Sequence, residues 1–246
     1  MTSSPATGPT AGSVSGPRVP WVVGVSGASG TPYAAAVLRG LLAAGESVDL
    51  VVSRASRLTL LDETRIAFRD AHWQDDLREW LARGADGKPG TFDVDVDAVR
   101  HWAAGDLAAG PSSGSYPVKG MLVVPASTAC VAGVALGLSK DLLQRAASVT
   151  LKERRPLVMA VRETPLNGQT LRHLVALDEA GAVVLPASPA FYAGATHIQD
   201  LVDFVAGRVL DAAGVEHGLY RRWKGELGGG SAREPEPEPG PGESRG

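Results

Sequence analysis

The stretch 151–166, LKERRPLVMAVRETPL, constrains the fold of this chain more than any other. An apolar run from Leu157 to Val161 stands between a cationic entry (Lys152, Arg154, Arg155) and an exit made of Arg162, Glu163 and Pro165. A run that short, closed by charges and a proline, suits a strand buried on both faces of a parallel sheet, since a helix needs more length. Arg162 and Glu163 then stand at the carboxyl end of a central strand, the edge at which open α/β sheets bind ligands. Taken alone, the pair fits equally well as an exposed ion pair, which contributes little.

The same pattern recurs along the chain. Residues 21–26 read as a first buried strand that runs into Gly27, Ala28, Ser29 and Gly30. Pro32 suits the first turn of a helix whose Tyr33, Val37, Leu38, Leu41 and Leu42 keep helical spacing. Strand, glycine turn and helix start together present free backbone N–H groups to an anion. The glycine spacing is not that of a dinucleotide fingerprint, and the second strand, 48–52, ends in Ser53 where such a fold places an acid. A mononucleotide phosphate is therefore the expected ligand. Residues 54–64 continue as a helix carrying Glu63.

A third strand, 120–124, leads through Pro125 to Ser127 or Thr128 as the cap of a helix of small residues, a second helix start on the same edge. Helices over 138–149 with Arg145, over 170–178 and over 198–212 with Arg208 near its end, and a strand over 181–185, complete the alternation. Alternating strands and helices predict a doubly wound parallel sheet in three α/β/α layers and a single domain. Right-handed crossovers gather Ser29, Ser53, Ser127 and Arg162 along one edge, with a cluster of cations beside them.

Residues 70–110 break the pattern and read as a peripheral insertion with short helices at most and an edge strand near 92–96. His72 and His101 there lack neighbours at metal-ligand spacing. The ends, 1–19 and 225–246, are rich in Gly, Pro and polar residues and read as disordered. A net charge of -3 gives no attraction for nucleic acid. The single cysteine, Cys130, fits a reducing, cytoplasmic setting. The uncharged stretch 120–139 contains proline, hydroxyl residues and glycines, which suit packed core better than a membrane span, and the leading residues have no apolar segment of a signal peptide.

Five segments in combination resemble the UbiX family of flavin prenyltransferases: VSGASGTPYAAAVLRGLL, the PSSGS turn at 111–115, RAASVTLKERRPLVMAVRETPL, PASPAFY and LVDFVAGRVLD. The resemblance runs over about 20–223 apart from most of the insertion. It implies a flavodoxin-like Rossmann fold, a homododecamer, FMN and dimethylallyl phosphate as ligands, and no metal. The implied reaction joins the prenyl group to N5 and C6 of reduced FMN, and the prenylated FMN product serves a UbiD-type decarboxylase. Ala28, Ser29, Gly30, Ser53, Ser127, Thr128, Ala129, Cys130 and Arg162 match the family's FMN-contacting positions. Lys152, Tyr192 and Arg208 match positions that hold the prenyl phosphate, with Arg145 in support and Ser113, Gly114 and Ser115 of the hydroxyl-rich turn on the substrate side. Glu63 and Glu163 match acidic positions near the reacting groups, and Trp223 matches a C-terminal aromatic that closes the site. The turn from Ala126 to Cys130 departs from the side chains common in the family. Two other readings remain open at this point: an FMN-dependent cysteine-type decarboxylase of the same superfamily, against which stands the lack of a histidine in the early helical region, and a flavin carrier without catalysis.

Overall fold

A computed structural model describes residues 18–223 apart from 91, 93 and 193. The expected tails lie outside the described residues, except for Arg18 and Val19. Among the described residues six strands are present: β1 (Trp21–Val25), β2 (Val48–Val52), β3 (Val99–His101), β4 (Gly120–Ala126), β5 (Leu157–Val161) and β6 (Val183–Pro186). They form one parallel sheet in the order β3-β2-β1-β4-β5-β6, with Trp21 in register with both Val48 and Gly120. The chain steps outward from β1 to β2 and β3, then returns to the other side of β1, so the direction of winding reverses between β1 and β4. Ligands of open α/β sheets bind in the crevice at such a reversal.

Seven α-helices among the described residues surround the sheet: α1 (Thr31–Ala43), α2 (Arg54–Thr64), α3 (Trp73–Leu81), α4 (Thr128–Ala135), α5 (Leu142–Lys152), α6 (Gly168–Glu179) and α7 (Ile198–Ala213). Every residue of β1, β2, β4 and β5 is buried, which is why these strands read as unbroken apolar runs. Alternate side chains go to opposite faces. Val23, Leu50, Leu122 and Val158 pack with Leu38 and Leu41 of α1 and Val209 and Leu210 of α7. Val22, Val51, Met121 and Met159 pack with Leu142, Leu143 and Ala146 of α5, Val131 of α4 and Leu177 of α6. Helices α5 and α7 therefore lie on opposite faces of the sheet. No helix among the described residues is long and apolar enough to cross a membrane.

The structure corrects three expectations. The region 70–110 is not wholly peripheral, because α3 places Leu77, Trp80 and Leu81 fully inside the core. The edge strand forms at Val99–His101 rather than near 92–96, because the Asp95 carboxylate accepts a hydrogen bond from the Asp97 N–H at 2.8 Å and winds Val96–Ala98 into a 3-10 turn. Helix α5 begins at Leu142 instead of 138: Ser139 takes φ 50, and Asp141 caps the helix by accepting from the Gln144 N–H at 2.9 Å.

Candidate functional site

Three helices begin at the carboxyl edge of the central strands. After β1, Gly30 takes φ 114 as the cap of α1, a left-handed conformation that favours glycine. After β2, Ser53 caps α2, its hydroxyl accepting from the Ser56 N–H at 3.1 Å. After β4, Ser127 caps α4, accepting from the Cys130 N–H at 3.2 Å. Ser26 ties two of these turns together: its hydroxyl donates to the Pro125 carbonyl at 2.8 Å and accepts from the Ser127 N–H at 2.7 Å. Beside them the Arg162 N–H bonds the Ala126 carbonyl at 3.1 Å. The expected grouping of Ser29, Ser53, Ser127 and Arg162 along one edge is thus present, with Ser29 and Ala129 exposed and Ala28, Ser53 and Cys130 buried. Burial pushes the Cys130 thiol up to about 12, so it is a neutral packing group.

The α1 start is not free for an external anion. Glu63, reaching over from α2, accepts from the N–H groups of Gly30 and Thr31 at 2.9 and 2.8 Å and from the Thr31 hydroxyl at 2.6 Å. Burial works to raise its carboxyl, but these bonds and one from Ser29 outweigh that and hold it below the usual carboxylate range. The positive end of α1 is therefore already matched by a carboxylate of the chain. The helix starts at Ser53 and Ser127 and the backbone of Arg162 share the same edge of the sheet.

Tyr33, counted in the sequence only as an apolar helix position, lies near enough to Arg162 and Glu63 for its hydroxyl to feel both charges. Burial pushes its hydroxyl up; Arg162 opposes this and Glu63 adds to it. Arg162 and Glu163 also line a cleft of about 310 Å³ with Leu166, Leu174, Pro186 and Ser188. Glu163 is exposed there and accepts from the Thr164 N–H at 2.9 Å.

The remaining site residues form two separate groups, which corrects the expectation that the chain gathers its cations beside the flavin. On the α5 face, Lys152 pairs with Glu153, Arg145 Nε donates to the Ser112 carbonyl at 3.1 Å, and Arg155 Nη2 donates to the Gly114 carbonyl at 2.9 Å. Ser113 and Ser115 join their hydroxyls at 2.9 Å in the same turn, and a Cβ on Gly114 would stand 2.7 Å from Lys152 Nζ. On the α7 face, the Tyr192 ring meets Phe204 at 5.8 Å and Trp223 at 5.9 Å, and Arg208 lies one turn beyond Phe204. Lys152 thus closes a helix on one face of the sheet while Tyr192 and Arg208 sit on the other. The motifs carry spacing along each helix but not the face of the sheet that the helix covers.

Fold and edge together define a flavin-binding α/β protein, and the Flavoprotein family model matches residues 11–210. The chain is 88% identical over 211 residues, 86% of its own length and 98% of the relative's, to the flavin prenyltransferase UbiX of Streptomyces coelicolor. Among solved structures it is similar to AnUbiX in complex with FMN and dimethylallyl pyrophosphate, at 34% identity and a TM-score of 0.72 over 86% of this chain and 100% of that one. It is also similar to a dodecameric FMN-dependent UbiX-like decarboxylase from Escherichia coli O157:H7, at 32% identity and a TM-score of 0.70 over 85% and 100%. The chain belongs to the UbiX flavin prenyltransferases of the Flavoprotein family.

Proposed function

We propose that the chain transfers a dimethylallyl group from dimethylallyl phosphate to N5 and C6 of reduced FMN, in the cytoplasm, and that a UbiD-type decarboxylase uses the product. The near-identity to the Streptomyces coelicolor flavin prenyltransferase carries this reading. Ala28, Ser29, Ser53, Arg162 and the turn Ser127, Thr128, Ala129, Cys130 hold the FMN; when bound and reduced, it supplies the electron-rich ring that takes up the prenyl group. Lys152, Arg208 and the Tyr192 hydroxyl grip the donor phosphate and stabilise the charge that builds on it as the allylic C–O bond breaks. Glu163 accepts the proton lost on ring closure, and Glu63 holds the Ser29 and Gly30 turn against the ring. Trp223, packed on Tyr192, excludes water from the allylic cation and faces it with a π surface.

Lys152 and Arg208 ride on helices that cover opposite faces of one sheet, which favours their meeting on one phosphate across two copies. The reading therefore takes the enzyme as a homo-oligomer, a dodecamer by analogy, in which Lys152, Arg145 and the Ser113, Gly114, Ser115 turn of one copy complete the site that Tyr192 and Arg208 open in another. Exposed Lys152, Tyr192 and Arg208 are available for such a contact. Anaerobic incubation with reduced FMN and dimethylallyl phosphate, read by mass spectrometry, tests the activity: a flavin heavier by one isoprene unit is expected. A flavin returned unchanged with the donor intact would overturn the reading in favour of a carrier.

A further inference from the structure

At the end of α7 a single carboxylate, Asp211, is saturated by four donors. Its Oδ2 accepts from Arg208 Nη1 at 2.9 Å and from the Tyr220 hydroxyl at 2.5 Å. Its Oδ1 accepts from Arg222 Nη2 at 2.8 Å and from His217 Nε2 at 3.1 Å. The tautomer of His217 follows from its other nitrogen: Nδ1 accepts the Leu219 N–H at 3.2 Å, so Nε2 carries the proton that goes to Asp211. The His217 side chain is only 2% exposed. Burial works to raise the Asp211 carboxyl, yet the bonds from Tyr220, Arg222 and His217 outweigh it and hold it down at about 2. An ionised carboxylate has room for about four hydrogen bonds, and here all are used.

The four donors are not equivalent to a generic helix-end network, because three of them, Arg208, Tyr220 and Arg222, lead to the proposed phosphate pole. Arg208 is held directly, its Nη1 donating to Asp211. Arg222, bonded to Asp211, directly precedes Trp223 in the chain. Tyr220 places its ring 5.0 Å from Phe204, which meets Tyr192 at 5.8 Å, and Tyr192 meets Trp223 at 5.9 Å. The ring of Tyr220 and the imidazole of His217 lie directly over Gly207: a Cβ there would stand 2.5 Å from Tyr220 Cδ1 and 2.7 Å from His217 Cε1. The segment from His217 to Trp223 is therefore strapped across α7, with Asp211 joining His217, Tyr220 and Arg222 to Arg208.

We propose that Asp211 is a positioning residue for the prenyl donor: by accepting from Arg208, Tyr220, Arg222 and His217 together, it sets Arg208, Tyr192 and Trp223 in one arrangement that receives the donor's phosphate. The inference rests on the prenyltransferase reading and adds to it a role for side chains that touch no reacting atom. Asn in place of Asp211 keeps the shape but presents one oxygen in place of two, so half of the acceptor capacity is lost and one amide donor faces donors. Tyr220→Phe keeps the ring on Phe204 and removes one bond to Asp211.

The test is steady-state kinetics with reduced FMN and dimethylallyl phosphate on wild type, Asp211→Asn and Tyr220→Phe, with FMN affinity and Tm measured on each. Asp211→Asn is expected to raise KM for the donor by about tenfold or more, with a smaller change in kcat and FMN affinity within about twofold of wild type. Tyr220→Phe is expected to raise the same KM by about threefold. A merely structural role would lower Tm and weaken FMN and donor alike, and that pattern overturns the proposal. If Asp211→Asn does not fold, Tyr220→Phe decides, and an unchanged donor KM overturns it. Wild type that prenylates normally beside variants with unchanged KM removes this inference alone; wild type that does not prenylate removes the prenyltransferase reading as well.

Discussion

The carboxyl edge of the sheet and the outer flank of α5 both carry residues of the proposed site, and they are built differently. At the edge, positions are set by backbone: caps at Ser53 and Ser127, the Ser26 bridge between two turns, and the Glu63 carboxylate against the start of α1. On the α5 flank, Lys152 is an exposed side chain paired with its neighbour Glu153, and the arginines reach out to loop carbonyls. The difference teaches that backbone fixes the first region within one chain, whereas the second presents exposed side chains, which on the proposed reading complete a site in another copy. Arg208 on the far face lies between these cases, since it is exposed but tied to Asp211.

Breaking the comparison at its strongest point means removing a cation. Lys152→Ala and Arg208→Ala should each lower turnover by about 100-fold or more, because each takes away a charge aimed at the leaving phosphate, while FMN binding stays within about twofold. Turnover assays beside FMN titrations check this, and a variant that loses FMN as well would move its cation to the flavin edge. Acid should separate the two flanks next. Asp211 has a native carboxyl pKa of about 2, below its unfolded value, so its contribution is complete above the unfolded value and is lost as pH falls through about 2. Trp and Tyr emission should therefore report loosening of the strap at Tyr220 and Trp223 as pH drops from about 4 toward 2, before the strands lose their circular dichroism. Simultaneous loss of both signals would show that the strap is not a separate element.

Smaller effects sharpen the contrast. Ser127→Ala should cost about 1 kcal/mol of stability by removing the α4 cap, measured by denaturant unfolding, and should weaken FMN more than Lys152→Ala does. Glu153→Gln should leave stability unchanged, since an exposed pair of adjacent residues contributes little. A clear destabilisation would mean that the α5 flank is locked within its own chain.

How far these regions were legible in the sequence follows from what sequence patterns carry. The buried strands were plain because runs such as Val48–Val52 and Leu157–Val161 are apolar throughout and end in charges, serine or proline. The helix α3 reads as peripheral because Leu77, Trp80 and Leu81 sit among Asp75, Asp76, Arg78 and Glu79 in only nine residues, so the apolar face is narrow. Three-residue β3 is too short to announce itself. Residue types of the site were visible in the KERRPLV and RETPL motifs. Their distribution was not, since helical spacing does not say which face of the sheet a helix will cover, and Asp211 was read only as part of the GRVLD motif. Tyr33 illustrates the same limit: its spacing marks it as core, and only the fold brings its hydroxyl within reach of the charges of Arg162 and Glu63.

The central claim is that Lys152 of one copy and Arg208 of another act on the same donor phosphate. Co-expressing Lys152→Ala and Arg208→Ala chains in equal amounts, then assaying the purified mixed oligomers, tests it directly. Two variants inactive alone should together recover about a quarter of wild-type activity, the share of sites that receive an intact Lys152 from one parent and an intact Arg208 from the other under random assembly. Mixed oligomers as inactive as either parent would contradict the account and place both cations of each site in a single chain.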